Sequence, residues 1–417
     1  MEKRPNIVFL HVDQLKRAAI GAYGCPYVNT PNINRLIDSS VHFERSYSSM
    51  PICVPARTSW YTGLEPEQSG ITENPRWIDR DAVQPTELGT WLREKGGYNT
   101  VYAGKWHVAL KPQTCGFRFL YAGNPVGEYG DTSVARAAEE FLLTYKEEKP
   151  FFLSIGLLNP HDICYWSFRY SPGKFEMASR IKDELPPFPK NYLKGPDRTG
   201  WNKEEWRFYA YSYFRFVEMV DAEIGRVFRA FEHSPQRDHT VFIFSADHGQ
   251  ASGEHGYLTK NTPYEHSFNV PLVIIDPKAS PRCDSERLVS GLDMAPTICD
   301  YADVEPMPEN NGESIKPLVR GEKIEWRDWL AAATSLLKHR VVWKGDCKLI
   351  HERSTDLIHL FNLANDPLET HDLVNDPAYA PILKELLALR DEYDAGRKYC
   401  PMALADMEKI EQERNRK

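Results

Sequence analysis

Two kinds of hydrophobic pattern alternate along this chain. Short apolar, β-branched runs occur at Ile7–Val12, Thr100–Ala103, Phe151–Leu157, Val241–Ser245 and Leu272–Ile275, and they read as strands buried on both faces. Between them, Thr86–Lys95, Thr132–Glu147 and Trp206–His233 carry apolar residues at helical spacing, the first closing on Gly96 and Gly97. This succession predicts an α/β fold with a central, mainly parallel sheet flanked by helices. After about residue 320 the pattern changes. Trp329–Ser335, Arg340–Trp343, Cys347–His351 and Leu357–Asn362 read as short antiparallel strands, followed by a helix near Tyr379–Arg397 and a charged tail expected to fray. The expected division is a catalytic α/β domain over residues 1–320 and a smaller α+β subdomain over 321–417. Residues 165–205, rich in Pro, Lys, Tyr and Trp and without a clean period, read as a long functional loop.

In a parallel α/β sheet the chemistry gathers at the carboxyl ends of the strands. The unusual polar residues fall there: Asp13 ends the first run, Lys105 and His107 follow the second, His161 follows the Phe151 run, and Asp247 and His248 follow the Val241 run. Composition narrows what such a pocket can serve. The formal net charge of −8 argues against a surface that wraps nucleic acid, yet leaves room for a local cluster of Arg, Lys and His around a small anion. No apolar run approaches the ~20 residues that span a bilayer. A strand-like run begins directly after Pro5, so the chain as written reads as cytoplasmic, or as periplasmic or secreted if a leader was removed. The eight cysteines are scattered and none forms a Cys-x-x-Cys pair, which disfavours zinc and a dense disulfide framework.

One segment carries a sharper signal. Residues 53–63 read Cys-Val-Pro-Ala-Arg-Thr-Ser-Trp-Tyr-Thr-Gly. Pro55 is pre-set for the first turn of a helix, which puts Cys53 at the helix N-terminus, where backbone N–H groups and the macrodipole favour an anion. Arg57, one turn on, can fork onto a charged oxygen. This segment resembles the signature of the formylglycine-dependent (type I) sulfatases of the alkaline phosphatase superfamily, Cys-x-Pro-x-Arg followed by Thr-Gly. Further stretches are similar to that family in the same order: Pro5–Gln14, Gly104–His107, Asn159–Asp162, Ser245–Gly249 with Gly253–Gly256 and Lys260, and Leu360–Glu369.

The resemblance implies a calcium-dependent sulfatase. A separate maturation enzyme would oxidise Cys53 to formylglycine, whose hydrate attacks sulfur with one hydroxyl and expels sulfate with the other. Asp13, Gln14, Asp247 and His248, with an oxygen of residue 53, would hold one Ca²⁺, a mostly oxygen ligand set. Gln14 departs from the Asp-Asp more usual there and lowers the ligand charge by one. Arg57, Lys105 and Lys260 would hold the sulfuryl oxygens, and Asp247 would take the proton of the attacking hydroxyl. His161 or Lys260 would protonate the leaving oxygen, and His107 would trigger the collapse that frees sulfate. Glu254 and His255 are expected to be structural. A sulfated sugar is the expected substrate, with Tyr165, Trp166 and the aromatic loop either stacking on it or forming a packed lid. Two alternatives remain at this stage: a phosphonate monoester or phosphodiester hydrolase on the same scaffold, and a non-catalytic anion- or glycan-binding protein. Oligomeric state is not legible.

Overall fold

The computed structural model describes residues 3–111, 114–165, 181, 184–197 and 199–415. An eight-stranded sheet runs in the order Arg282–Asp284, Val41–Phe43, Leu272–Ile275, Thr240–Ala246, Asn6–Asp13, Phe151–Pro160, Asn99–Gly104, Arg118–Tyr121. The strand Asn6–Asp13 lies parallel between Thr240–Ala246 and Phe151–Pro160. Leu272–Ile275 runs antiparallel to both its neighbours, so the sheet is mixed but mainly parallel.

Every residue of Asn6–Asp13 is buried, which explains the run's lack of polar alternation. Its side chains still divide by the pleat. Val8, Leu10 and Val12 enter a core covered by the helices Pro31–Asp38, Gly127–Thr144 and Lys203–Glu232. Ile7 and Phe9 enter a second core under Cys53–Thr62, Leu88–Gly96 and Met294–Tyr301. Each such aliphatic or aromatic side chain contributes roughly 1.5–3 kcal/mol by leaving water. The 30-residue helix Lys203–Glu232 starts on a capping box in which Asn202 and Glu205 satisfy each other's backbone N–H groups.

A second, four-stranded antiparallel sheet is formed by Trp329–Ala333, His339–Lys344, Cys347–Glu352 and Leu357–Asn362. One face packs on Ala380–Ala395, and the other meets Tyr47 and Phe268 of the large unit. Two departures from the sequence reading stand out. The tail expected to fray forms the helix Pro401–Asn415. Its Ala403 and Ile410 are buried, and its Asp406 receives Arg76 Nη1 at 2.7 Å. Long-range contacts hold this helix, and a local pattern does not report them. The short strands Val41–Phe43, Arg118–Tyr121 and Arg282–Asp284 also escaped the reading, since three or four residues carry no period.

Trp166 and most of the first half of the expected aromatic loop lie outside the described residues. Further on, the Trp201 ring packs 5.0 Å from that of Trp206, which also lies 6.1 Å from Tyr209. That part of the stretch is a packed aromatic cluster.

Candidate active site

Cys53 is the first residue of the helix Cys53–Thr62, all ten residues of which are buried. Pro55 sits inside the first turn, as its fixed φ favours. Gly63 ends the helix at φ 70°, the left-handed conformation that favours glycine, and a Cβ there would lie 2.8 Å from Asn310 Oδ1 and displace that side chain. The helix packs on the sheet face that bears Phe9 and His11, and the Trp60 ring lies 5.2 Å from each, edge-on to Phe9 and tilted to His11. Asp13, two residues beyond His11, thereby meets the N-terminus of the same helix.

The thiol of Cys53 stands where the oxygens of an oxidised side chain would be. Lys260 Nζ lies 3.0 Å from it, His248 Nε2 3.1 Å and Asp13 Oδ1 3.6 Å. Burial and Asp13 act to push the thiol up. Lys260, Lys105 and His248 outweigh them and hold it well below the usual thiol range. Asp13 is likewise held low: burial opposes its charge, but Lys105, His161, Lys260 and Arg57 prevail. Lys105 Nζ donates to Asp13 Oδ2. Asp247 goes the other way, raised by burial and then by the charge of Asp13.

Arg57 is fully buried and its forks are all engaged. Nε donates to Asp247 Oδ2 at 2.7 Å and Nη2 to Asp13 Oδ2 at 3.3 Å. Nη1 donates to the carbonyl of Lys105 at 3.2 Å and to Nδ1 of His11 at 3.3 Å. The Lys105 carbonyl reaches this point because Gly104 passes close to Gly156, where a Cβ would lie 2.1 Å from the Gly156 oxygen. Arg57 therefore grips two carboxylates from two strands. The side chains around Cys53 itself are Lys260, His248 and Asp13.

Asp13, Cys53, Asp247 and His248 offer ligand atoms all within 4.8 Å of one another. Nδ1 of His248 donates to the carbonyl of Gly249 at 2.9 Å, which turns Nε2 toward the cluster; burial opposes charge on the ring, but Asp247 and Cys53 raise its pKa, so a bound cation would take the place of the Nε2 proton. Gln14 adds a carbonyl oxygen, 3.0 Å from Lys260 Nζ. Two carboxylates and an amide oxygen against one imidazole fit a hard divalent cation. Burial, and after it the charge of Asp13, raise Asp247, and a cation held between the two carboxylates would offset both.

Of the residues expected at the site, Asp13, Gln14, Cys53, Arg57, Lys105, Asp247, His248 and Lys260 form one continuous network. His161 borders it. Burial and then Lys105 press its pKa well below the ordinary value, and its Nδ1 has no hydrogen-bond partner among the described residues. His107 stands apart: it is exposed, at φ 42°, with no described hydrogen bond to this network. Glu254 and His255 lie outward, Glu254 paired with Lys16 at 2.6 Å and His255 stacked on Tyr264 at 3.6 Å. Two buried residues went unnoticed in the sequence. His11 receives Arg57, and Gln250 meets the side chain of Gln14. His11 has strand alternation as its only signal, placing it on the face of Asp13. Gln250 directly follows the Asp247–Gly249 motif.

Fold and site together define an α/β protein with a buried cluster fit to hold a cation at the carboxyl edge of a mainly parallel sheet. The chain matches the Sulfatase family over residues 5–304, and over residues 253–393 it matches the C-terminal region of N-sulphoglucosamine sulphohydrolase. It belongs to the Sulfatase family and is a sulfuric ester hydrolase. It is 25% identical to the N-acetylglucosamine-6-O-sulfatase of Bacteroides thetaiotaomicron, over 94% of this chain and 86% of that protein. A solved structure in complex with its substrate, D-glucosamine-2-N,6-O-disulfate, superposes with a TM-score of 0.74 at 23% identity, covering 94% of this chain and 98% of that one. The phosphonate monoester hydrolase of Agrobacterium radiobacter also gives 0.74, at 21% identity, covering 93% and 96%. These two likenesses concern the fold.

Proposed function

We propose that this sulfatase cleaves a sulfate ester on a sulfated saccharide, with residue 53 in its formylglycine form and one calcium ion beside it. The observation that carries the reading is the convergence of Lys260, His248 and Asp13 on the Cys53 side chain at a helix N-terminus. The saccharide follows from the relatives, one named for N-acetylglucosamine 6-O-sulfate and one solved with a disulfated glucosamine.

Asp13, Gln14, Asp247 and His248 are the side chains that would hold the cation. When bound, the cation and the aldehyde hydrate supply a polarised sulfuryl group and an acidified hydroxyl nucleophile. The chain's own residues do the rest. Arg57 fixes the separation of Asp13 and Asp247. Lys105 and Lys260, with the cation, leave the pocket net positive, which suits an anionic ester and the charge that grows on its oxygens. Burial opposes the charge on Lys260, but Cys53 and Asp13 raise its pKa above the ordinary lysine value, so it keeps its proton beside residue 53. Because His161 is kept neutral, Lys260 is the one of the two that carries a transferable proton, and the leaving alkoxide is basic enough to take it from a lysine. His161, kept neutral, serves as a hydrogen-bonding partner of the bound anion. His107, exposed and outside this network, is given no step in the scheme.

The test is a panel of sulfated mono- and disaccharides, paired with an aryl sulfate and an aryl phosphodiester. Sulfate release from a sugar, with kcat/KM above that for the phosphodiester, is expected. The reverse order supports the phosphonate and phosphodiester alternative. Mass spectrometry of the peptide holding residue 53 reads whether its thiol has been exchanged for an aldehyde. An unconverted residue from a host able to mature it would favour a binding protein.

A further inference from the structure

We propose that Gln250 is a positioning residue that sets the sense of the Gln14 amide, and so turns the Gln14 oxygen toward the cation site. The inference rests on the calcium reading above.

A primary amide has an oxygen that only accepts and a nitrogen that only donates, so its sense must be deduced from fixed neighbours. The fixed neighbour here is the backbone carbonyl of Ala251, which can only accept. The side chain of Gln250 turns back onto it, so the end facing Ala251 is the nitrogen, and this same nitrogen lies 3.2 Å from Tyr209 Oη. The Gln250 oxygen is thereby left facing Gln14. It lies 2.5 Å from the Gln14 side chain, which must present its own nitrogen there. The Gln14 oxygen then points the other way, 3.0 Å from Lys260 Nζ, beside Cys53. Cys164 does not choose between the two senses, since its thiol lies 3.3 Å from the Gln14 nitrogen and 3.4 Å from the oxygen.

The backbone at Gln14 shows the same degree of constraint. Its φ is 71°, its N–H donates to Asp247 Oδ1 at 3.0 Å, and its carbonyl receives Tyr213 Oη at 2.8 Å. Both glutamines are fully buried. A left-handed, fully hydrogen-bonded position next to a buried amide pair is strain held in place by its surroundings. A carboxylate at position 14 would set its charge against the Gln250 oxygen, so Gln14 and Gln250 are a matched pair. Without Gln250 only Lys260 Nζ, which can only donate, would hold the Gln14 oxygen on that side, and the Gln14 nitrogen would lose its acceptor.

The experiment is calorimetric titration of Ca²⁺ into chelator-stripped full-length protein. Wild type, Gln250→Met, Gln14→Ala and the double variant are compared, with the calcium-free thermal midpoint recorded for each. Methionine fills the space of glutamine without an acceptor oxygen. The expected result is a weakening of calcium binding by roughly 10–100-fold in Gln250→Met, the usual effect of losing a residue that orients a ligand. No further weakening is expected when Gln250→Met is added to Gln14→Ala. Equal losses in both backgrounds, or unchanged affinity in Gln250→Met, would overturn the proposal while leaving the calcium reading intact. Absence of calcium binding by wild type would overturn both. If Gln250→Met does not fold, Gln250→Ser, too short to reach Gln14, is put through the same cycle.

Discussion

Arg57 and Asp247 meet at 2.7 Å through Nε and Oδ2, both side chains wholly out of water. The same guanidinium reaches Asp13 at 3.3 Å, so one cation from a helix holds two carboxylates from neighbouring strands. Breaking one partner of a buried pair leaves an uncompensated charge and costs about 3–5 kcal/mol. Arg57→Ala is therefore expected to lower the unfolding free energy from denaturant titration by that amount and kcat by at least roughly 10²-fold, the scale of a small misplacement at the reacting centre. Arg57→Lys is expected to recover stability only in part, since a point charge cannot fork onto both acids. Near-normal kcat in either variant would refute this role.

Cys53→Ala removes the side chain on which Lys260, His248 and Asp13 converge. Turnover is expected to vanish with the far-ultraviolet circular dichroism unchanged. The helix keeps Pro55 and its Gly63 stop, so the fold does not depend on the thiol.

Stripping divalent cations is expected to abolish sulfate release and to lower the thermal midpoint, with calcium restoring both. A ligand present at 100 times its Kd adds about 2.7 kcal/mol to a folded state. A midpoint insensitive to both chelator and calcium would count against the cation site.

Glu254 sets an acid limit on stability. Burial opposes its charge, but Lys16, then His266, and the backbone N–H of Ser252 hold its pKa at about 2, against an ordinary 4.5. The folded value lies below the unfolded one, so the carboxylate's contribution is complete above pH 4.5 and is lost as pH falls toward about 2. Its full size is roughly 3 kcal/mol, at about 1.36 kcal/mol per pKa unit. Urea unfolding of wild type and Glu254→Gln from pH 2 to 7 should give stability curves that separate above pH 4.5 and converge at the acid end.

Lys348, fully buried in the small sheet, bridges Glu369 at 2.6 Å and Glu265 at 3.0 Å, and so ties that sheet to the segment just after Lys260. Lys348→Met is expected to cost about 3–5 kcal/mol. Burial, outweighing Lys348, already pushes Glu369 up to about 7. The variant's deficit should be smaller at pH 5 than at pH 8, because Glu369 then takes up a proton. Stability measured at the two pH values checks the sign.

The α/β class, the five apolar, buried strand runs and the residue types of the site were legible because each leaves a local trace. A strand buried on both faces is a continuous apolar run, and a functional residue at its end breaks that run with a charge, as at Asp13 and Asp247. The Cys53–Arg57 spacing could be read for the same reason, since proline, helix start and arginine lie within one turn. Only the tertiary structure decided which charges satisfy which. Arg57 looked free to bind substrate oxygens, but the fold gives its forks to Asp13 and Asp247, residues 44 and 190 positions away. His11 and Gln250 carry no motif, and the helix Pro401–Asn415 has no amphipathic pattern that foretells its docking on Arg76. Local sequence records burial and secondary structure because backbone geometry and hydrophobic periodicity act over a few residues. Hydrogen-bond partners in a buried polar cluster depend on strands and helices hundreds of residues apart meeting at one point, so they exist only once the chain has folded.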